Sequence, residues 1–372
     1  MLTTAIRHQA ASTAESPVVA VERRLRDKIR LHFHQRDGAA FWIDRARSLG
    51  VDAVHDIASV ADLRLLGDMT PADLCARPLL DYIPRALHGD LPSFIVGQTG
   101  GTTGPANSPW TAYRQDEFEE AFIQPFAVAA RHAGFPRCGR WLYAGPSGPH
   151  IIGKVVRRLA QCVDSPDPFS IDFDPRWARK LPPESFALAR YLGHVVEQCL
   201  PIIVRQEVDV IFTTPVVLRH LAGAMTEQQR LAIRGVHYGG MALSRQDLHD
   251  FQITHFPNAV HISGYGNTLF GCCMELHTDP GRALEYFPFG ARLLLDVVSH
   301  GASGPDRHSG TLPGRVRFTR LDDSMLIINM LERDCATVVV PPAPAPTGFG
   351  LPGVGDPHSP QTLEPDQRPG IY

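Results

Sequence analysis

The sequence predicts an α/β protein in which parallel βαβ units make up the larger part and a smaller antiparallel β-subdomain follows them along the chain. Three observations carry this fold class. Between residues 208 and 266 three short apolar runs, Val208–Phe212, Val236–Tyr238 and Ala259–Ser263, alternate with two helical stretches. That spacing calls for parallel strands joined by right-handed crossovers. From Arg282 to Val340 the pattern changes to alternating runs without helices between them, as antiparallel strands require.

The elements follow in chain order. Residues 1–18 are polar, small and aperiodic, a flexible N-terminus. From Val19 to about Leu49 the pattern is helical, with Val21, Leu25, Ile29 and Phe33 spaced near one turn apart to cover the core. Between Val51 and Pro84 short helices alternate with turns, and Thr70 is placed to cap one whose first residue is Pro71. The apolar run Ser93-Phe94-Ile95-Val96 reads as a strand. It enters Gly97-Gln98-Thr99-Gly100-Gly101-Thr102-Thr103-Gly104-Pro105, a loop made almost wholly of glycine and threonine. Glycines let backbone approach a ligand closely, and successive N–H groups with threonine hydroxyls can cradle phosphate oxygens.

A long helix is expected from Gln115 to His132, ahead of which the glycine loop sits. Trp141–Ala144 is a strand, and Gly145-Pro146-Ser147-Gly148-Pro149-His150 is a turn that opens a helix from Ile151 to Gln161. Residues 163–183, rich in Asp, Pro and Phe, read as a loop. Thr214-Pro215 caps and starts a helix to about Met225, and Ser244 caps another to about His255. In a parallel sheet ligands gather beyond the carboxyl ends of the strands. The ends after Phe212, Tyr238 and Ser263 would therefore converge on one crevice. The runs 283–287, 292–297, 314–318 and 325–329 supply the antiparallel strands. The expected organisation is a flexible segment 1–18, an α/β core 19–280, a β-rich subdomain 281–340 of the same core, and a Pro/Gly-rich tail 341–372 that packs no domain.

Composition narrows the function classes. Of 372 residues 44% are hydrophobic and 20% charged, enough to bury a sizeable core. The formal net charge is -3, with arginines dispersed among acidic residues, so nucleic acid and anionic membrane are not expected partners. No apolar run approaches a membrane span, and the first residues lack a signal-peptide core. Seven scattered cysteines do not make a disulfide framework, which places the chain by default in the reducing cytoplasm.

Taken in order, the motifs resemble those of the acyl-adenylate-forming (AMP-binding) superfamily, and most closely its phenylacetate-CoA ligase-like branch, over roughly residues 40–335. Gly101-Thr102-Thr103-Gly104 is similar to the centre of that branch's phosphate loop. Tyr265-Gly266-Asn267-Thr268 resembles its Tyr-Gly-x-Thr/Ser-Glu motif. Gly239-Gly240 falls where a glycine pair frames the adenine, and Arg333-Asp334 where an aspartate holds the ribose hydroxyls. The resemblance implies activation of a small aromatic or hydrophobic carboxylic acid by ATP, with the usual Mg²⁺, through an acyl-adenylate. Thr102 and Thr103 would grip the β- and γ-phosphates and Thr268 the α-phosphate. Tyr265 would stack on the adenine, and His150, Tyr143 and Gly240 would line the acyl pocket.

The match breaks at three points. Pro105 stands where the phosphate loop has a lysine, removing a cation and an N–H. Leu269 stands where a glutamate orients Mg²⁺, with Glu275 or Glu332 as candidate replacements. The family's C-terminal domain has no counterpart in these residues, which match the large N-terminal domain only. The expected reaction therefore passes the acyl group to a free nucleophile such as an amine rather than to coenzyme A, with another pathway protein as a conceivable helper. The alternatives are a divergent homologue that binds acyl compound or nucleotide without adenylating, and an ATP-independent reaction in the same crevice. A homodimer is compatible with the sequence.

Plainer readings compete at each position. The glycine loop can be a bare connector, Tyr265 a core aromatic, Asp334 a solvated turn residue, and His150 one of 17 histidines with no special role. Cys272-Cys273 with His277 could begin a zinc site, but two or three ligands do not close one, and buried free thiols are expected.

Overall fold

Val210–Thr213 reads Val-Ile-Phe-Thr and is buried at every position, as a strand covered on both faces must be. It is the centre of the parallel part of the sheet. The computed structural model describes residues 15–100, 108–277, 279–281, 283–298 and 313–359. The strands among them are β1 Ile95–Gln98, β2 Trp110–Tyr113, β3 Trp141–Ala144, β4 Phe169–Ser170, β5 Val210–Thr213, β6 Gly235–Tyr238, β7 Val260–Asn267, β8 Gly271–Glu275, β9 Glu285–Phe287, β10 Leu293–Val298, β11 Gly314–Leu321, β12 Leu326–Val339 and β13 Gly353–His358. Eleven of them form one sheet in the order β10-β11-β12-β13-β9-β8-β7-β6-β5-β3-β4, and β1 and β2 form a separate antiparallel hairpin.

The sheet changes character inside one strand. Val260–Ser263 of β7 pairs in parallel with β6, while Gly264–Asn267 pairs antiparallel with β8. The parallel strands β4, β3, β5 and β6 lie on one side of this switch and the antiparallel strands on the other. Gly266 is required there. A methyl group at its Cα would sit 2.1 Å from the carbonyl oxygen of Gly271, so only glycine lets β8 approach.

Alternation along the parallel strands sorts their side chains to two faces. Trp141, Tyr143, Val210, Phe212 and Ile262 join one core with the helices Gln124–Ala133 and Ile151–Cys162. Leu142, Ile211, Val236 and Tyr238 join the other, with the helices Phe186–Gln206 and Pro215–Ala224. Thr214 accepts from the Val217 amide and Ser244 from the Asp247 amide, as their capping positions predict. Thr70 and Asp73 close a capping box ahead of Pro71. Among the described residues no helix is long and apolar enough to cross a membrane.

Several expectations are corrected. The helical stretch near the N-terminus is two helices, Pro17–His32 and Ala40–Leu49. The stretch after Gln115 contains a π-turn, Glu119–Ile123, just before Pro125, which has no N–H to continue the ordinary ladder. The glycine loop does not run directly into that helix, because β2 intervenes and pairs Trp110 with Gln98. The supposed loop 163–183 holds β4 and the helix Pro175–Lys180, capped by Asp174, which accepts from the amides of Arg176 at 2.9 Å and Trp177 at 3.0 Å. The Pro/Gly-rich tail contributes β13, which inserts between β12 and β9 and buries Val354. Alternation over Gly353–His358 is too short to stand out beside that many prolines.

A charged cluster joins these parts. Asp322, fully buried, accepts from Arg292 Nε at 3.1 Å and Nη2 at 2.5 Å, from Arg320 Nε at 2.6 Å, and from Arg24 Nη2 at 3.3 Å. Arg292 and Arg320 are buried too, and the Arg320 guanidinium lies 3.7 Å from the centre of the Tyr113 ring. The two guanidinium groups hold the Asp322 carboxyl far below the usual carboxylate range despite its burial. Replacing Asp322 by Ala would leave two buried cations uncompensated. The expected cost is about 3–5 kcal/mol, read as a shift in the urea unfolding midpoint. A change below about 1 kcal/mol would show that the cluster does not carry the fold.

Candidate functional site

The site is built from the carboxyl ends of the strands. β7 delivers Tyr265, Gly266 and Asn267 in succession. The Asn267 side chain folds back, its Oδ1 accepting from the amides of Leu269 at 2.8 Å and Phe270 at 3.2 Å. Its Nδ2 donates to Glu332 Oε1 at 2.6 Å. The next three carbonyls are held from outside. Thr268 O accepts from Tyr113 Oη at 2.8 Å, Leu269 O from Arg320 Nη1 at 2.9 Å, and Phe270 O from Arg292 Nη1 at 2.5 Å. The buried charged cluster thus fixes the backbone of the motif.

Tyr265 and Asp334 meet. The phenol donates to the Asp334 carboxylate, and burial together with that carboxylate raises the Tyr265 hydroxyl well above its ordinary range. Asp334 Oδ1 also accepts from Ser359 Oγ at 3.2 Å and lies 3.7 Å from Arg333 Nε. Glu332 stands two residues earlier on β12, and burial with the neighbouring Asp334 charge pushes its carboxyl up to about 7. Tyr265, Asn267, Glu332 and Asp334 therefore form one polar group between β7 and β12.

The stem of the glycine hairpin reaches the same place. A methyl group at Gly97 would lie 3.1 Å from Thr268 Cγ2 and 2.9 Å from Ile151 Cδ1. Gln98 N donates to Pro149 O at 2.8 Å, beside His150. His150 is buried just ahead of the helix Ile151–Cys162, and burial with the charges of Arg176 and Arg179 lowers its imidazole to about 4. It is neutral at pH 7. Gly101, Thr102, Thr103 and Gly104, with Pro105, lie outside the described residues.

Other candidates sit apart from this group. Tyr143 is buried, donates to Pro146 O at 2.8 Å, and packs against Phe212 at 5.3 Å between ring centres. A methyl group at Gly239 would touch Phe212 at 2.9 Å. Gly240 follows with φ +80°, a conformation that favours glycine. Tyr143 belongs to one core and Tyr265 borders the other, so the strand ends converge without bringing these two together.

Leu269 is buried in the core, which places an apolar side chain where a carboxylate was sought. Of the two candidate replacements, Glu332 meets Asn267, whereas Glu275 accepts from Ser263 Oγ at 2.6 Å beside Tyr286. Cys272 and Cys273 are free thiols; burial pushes Cys272 up to about 12. His277 approaches Glu285 at 3.8 Å. Among the described residues no group of three or more His, Cys, Asp or Glu could hold a metal ion. A cavity of about 320 Å³ lies elsewhere, where Arg24 pairs with Glu120 at 2.7 Å and Lys28 with Asp323 at 2.6 Å.

Sequence reasoning missed Tyr113, Arg292 and Arg320, whose partners are too distant along the chain to leave a local pattern. It also missed Arg176 and Arg179. For these a signal exists, since Asp174-Pro175 has the form of a helix start.

No protein-family model matches the chain, and no curated protein matches it. Solved structures do. An open conformation of 2-hydroxyisobutyryl-CoA ligase in complex with 2-HIB-AMP and CoA is 14% identical, with a TM-score of 0.62, covering 94% of this chain and 73% of that one. The same ligase in its thioesterification state is also 14% identical, with a TM-score of 0.61 and coverage of 94% and 72%. In its postadenylation state with 2-HIB-AMP it is 13% identical, with a TM-score of 0.60 and coverage of 94% and 71%. The chain has the acyl-adenylate-forming fold.

Two outcomes follow from the geometry. Gly266→Ala should destabilise the protein by about 1–3 kcal/mol, because the added methyl must push β8 away; thermal or urea unfolding reads this, and an unchanged midpoint would refute the close approach. Glu332 should make stability depend on pH. Its folded carboxyl, near 7 against 4.5 when exposed, binds a proton more tightly than in the unfolded chain. Its contribution is therefore complete below about pH 4.5 and is lost as pH rises through 7. Glu332→Gln should gain on the native protein across that window by up to about 3 kcal/mol, measured as urea midpoints from pH 4.5 to 8. A difference that stays flat with pH would contradict the shift.

Proposed function

We propose that the protein activates a small carboxylic acid with ATP as an acyl-adenylate. The observation that carries this reading is the meeting of Tyr265, Asn267 and Asp334 beside Thr268, with the stem of the glycine hairpin packed on the Thr268 methyl. Asp334 is an anionic acceptor suited to ribose hydroxyls, and Tyr265 offers a buried aromatic face beside it. Gly239 and Gly240 provide backbone without side chains next to that position. Thr268 and the threonines Thr102 and Thr103 supply hydroxyl donors for phosphate oxygens.

The reaction needs little beyond positioning and charge stabilisation. A carboxylate oxygen of the acid attacks the α-phosphorus, the bond to the bridging oxygen of the β-phosphate breaks, and pyrophosphate leaves with that electron pair. The aromatic surface of Tyr143, Phe212 and His237, with Phe212 and His237 at 4.3 Å, supports an aromatic or hydrophobic acid. His150, neutral at pH 7, adds a polar edge without a charge that would pin the carboxylate. The described residues offer no ready-made metal site, so Mg²⁺ would come with the triphosphate, held mainly by phosphate oxygens and water. No step is assigned to it. The acyl group then passes to a free nucleophile such as an amine. The reading that the chain binds nucleotide without turnover draws support from Leu269, which buries an apolar side chain where a carboxylate was sought.

Acid-dependent ATP–pyrophosphate exchange is the direct measurement. It should appear with at least one member of a panel of aromatic and aliphatic acids and fall more than about tenfold in Asp334→Ala, the loss of a charged hydrogen bond. Trapping of product with hydroxylamine but not with coenzyme A would assign the acceptor. Nucleotide-induced thermal stabilisation with no exchange and no AMP release across the panel would replace this reading with the binding one.

A further inference from the structure

This inference rests on the nucleotide reading above and deepens it. We propose that Arg176 and Arg179, on the helix Pro175–Lys180, form the cationic contact for the β- and γ-phosphates. They would take over the charge that Pro105 cannot supply. Neither residue belongs to the motifs, and both come from a segment that reads as loop in the sequence.

The placement is specific. Arg179 Nη1 donates to the carbonyl oxygen of Gly100, and a methyl group at Gly100 would lie 3.2 Å from Arg179 Nη2. Arg176 Nη2 donates to Gln98 Oε1 at 2.7 Å, while Gln98 Nε2 donates to Ser108 O at 2.9 Å across the hairpin stem. The two arginines are three residues apart and so share a face of their helix. Both therefore stand at the stem that also packs on Thr268, the residue assigned to the α-phosphate.

The charge is available there. Gln98 and Gly100 contribute neutral oxygens, so these bonds hold the guanidinium groups in place without cancelling their charge. The fields of both arginines reach His150, which they help to keep deprotonated. Asp174, the nearest acid on the same helix, is engaged in capping backbone amides. A guanidinium presents paired donors that match two phosphate oxygens at once, and it stays charged at any working pH. An arginine that gives up a single carbonyl bond for a phosphate exchanges a neutral acceptor for an anionic one.

Calorimetric binding of ATP, AMP and inorganic pyrophosphate to the full chain tests the assignment. The native protein should bind ATP more tightly than AMP and should bind pyrophosphate. Arg176→Gln with Arg179→Gln should weaken ATP and pyrophosphate at least tenfold and leave AMP within twofold, and Arg176→Lys with Arg179→Lys should restore part of the loss. Arg176→Gln alone, at an exposed position, gives a variant whose folding is not at issue and should show a smaller loss of the same kind. An ATP affinity within twofold of native in the double variant would overturn the inference, as would equal losses for ATP and AMP. The nucleotide reading fails separately if AMP does not bind and Asp334→Ala changes nothing, while arginine-dependent pyrophosphate binding survives. If none of the three ligands binds, both fall.

Discussion

Asp322, buried between Arg292 and Arg320, ties together segments that are otherwise far apart in the chain. Through Arg24 it reaches the N-terminal helix; through Arg320 it reaches Thr111 and Ala112 of the glycine hairpin; and through both arginines it reaches the carbonyls of Leu269 and Phe270. Each carboxylate oxygen and most of the guanidinium donors are used, which is the condition under which a buried ion cluster is tolerable. The consequence is positional. The turn after Tyr265-Gly266-Asn267 is not free to relax, so Thr268 is presented at the hairpin stem and Asn267 toward Glu332.

Charge is distributed unevenly around that fixed turn. On the β12 side Glu332 and Asp334 crowd two carboxyl groups, and Glu332 responds by holding its proton more tightly. On the hairpin side Arg176 and Arg179 gather positive charge and keep His150 neutral. A molecule with a hydroxylated, hydrogen-bond-donating end and an anionic end fits this polarity in one orientation. A nucleotide laid from Asp334 toward the hairpin satisfies both ends.

How much of this was legible varies with the range of the interactions. The capped helices after Thr214 and Ser244 and the buried strands between 208 and 266 follow from local propensity and periodicity, and they stand in the structure where the pattern put them. The pairing of Tyr265 with Asp334 lies between residues far apart in the chain, and only the resemblance to a known motif order linked them beforehand. Where local cues were diluted the reading went astray. The prolines around Gly353–His358 hid a strand, and the prolines and aspartates of 163–183 hid a helix that carries two arginines of the proposed site.

The sequence by itself determined the α/β class, the run of elements and the glycine positions that admit close backbone approach, because these depend on periodicity, capping and the missing Cβ, all read within a few residues. Only the tertiary structure decided which charges meet. Whether Glu275 or Glu332 stands beside Asn267, whether Leu269 faces solvent or core, and where the cations of the hairpin come from are settled by register and packing between strands and helices remote in sequence. Electrostatics acts through space and burial rather than along the chain. The function of this protein, as proposed, depends on that second kind of information.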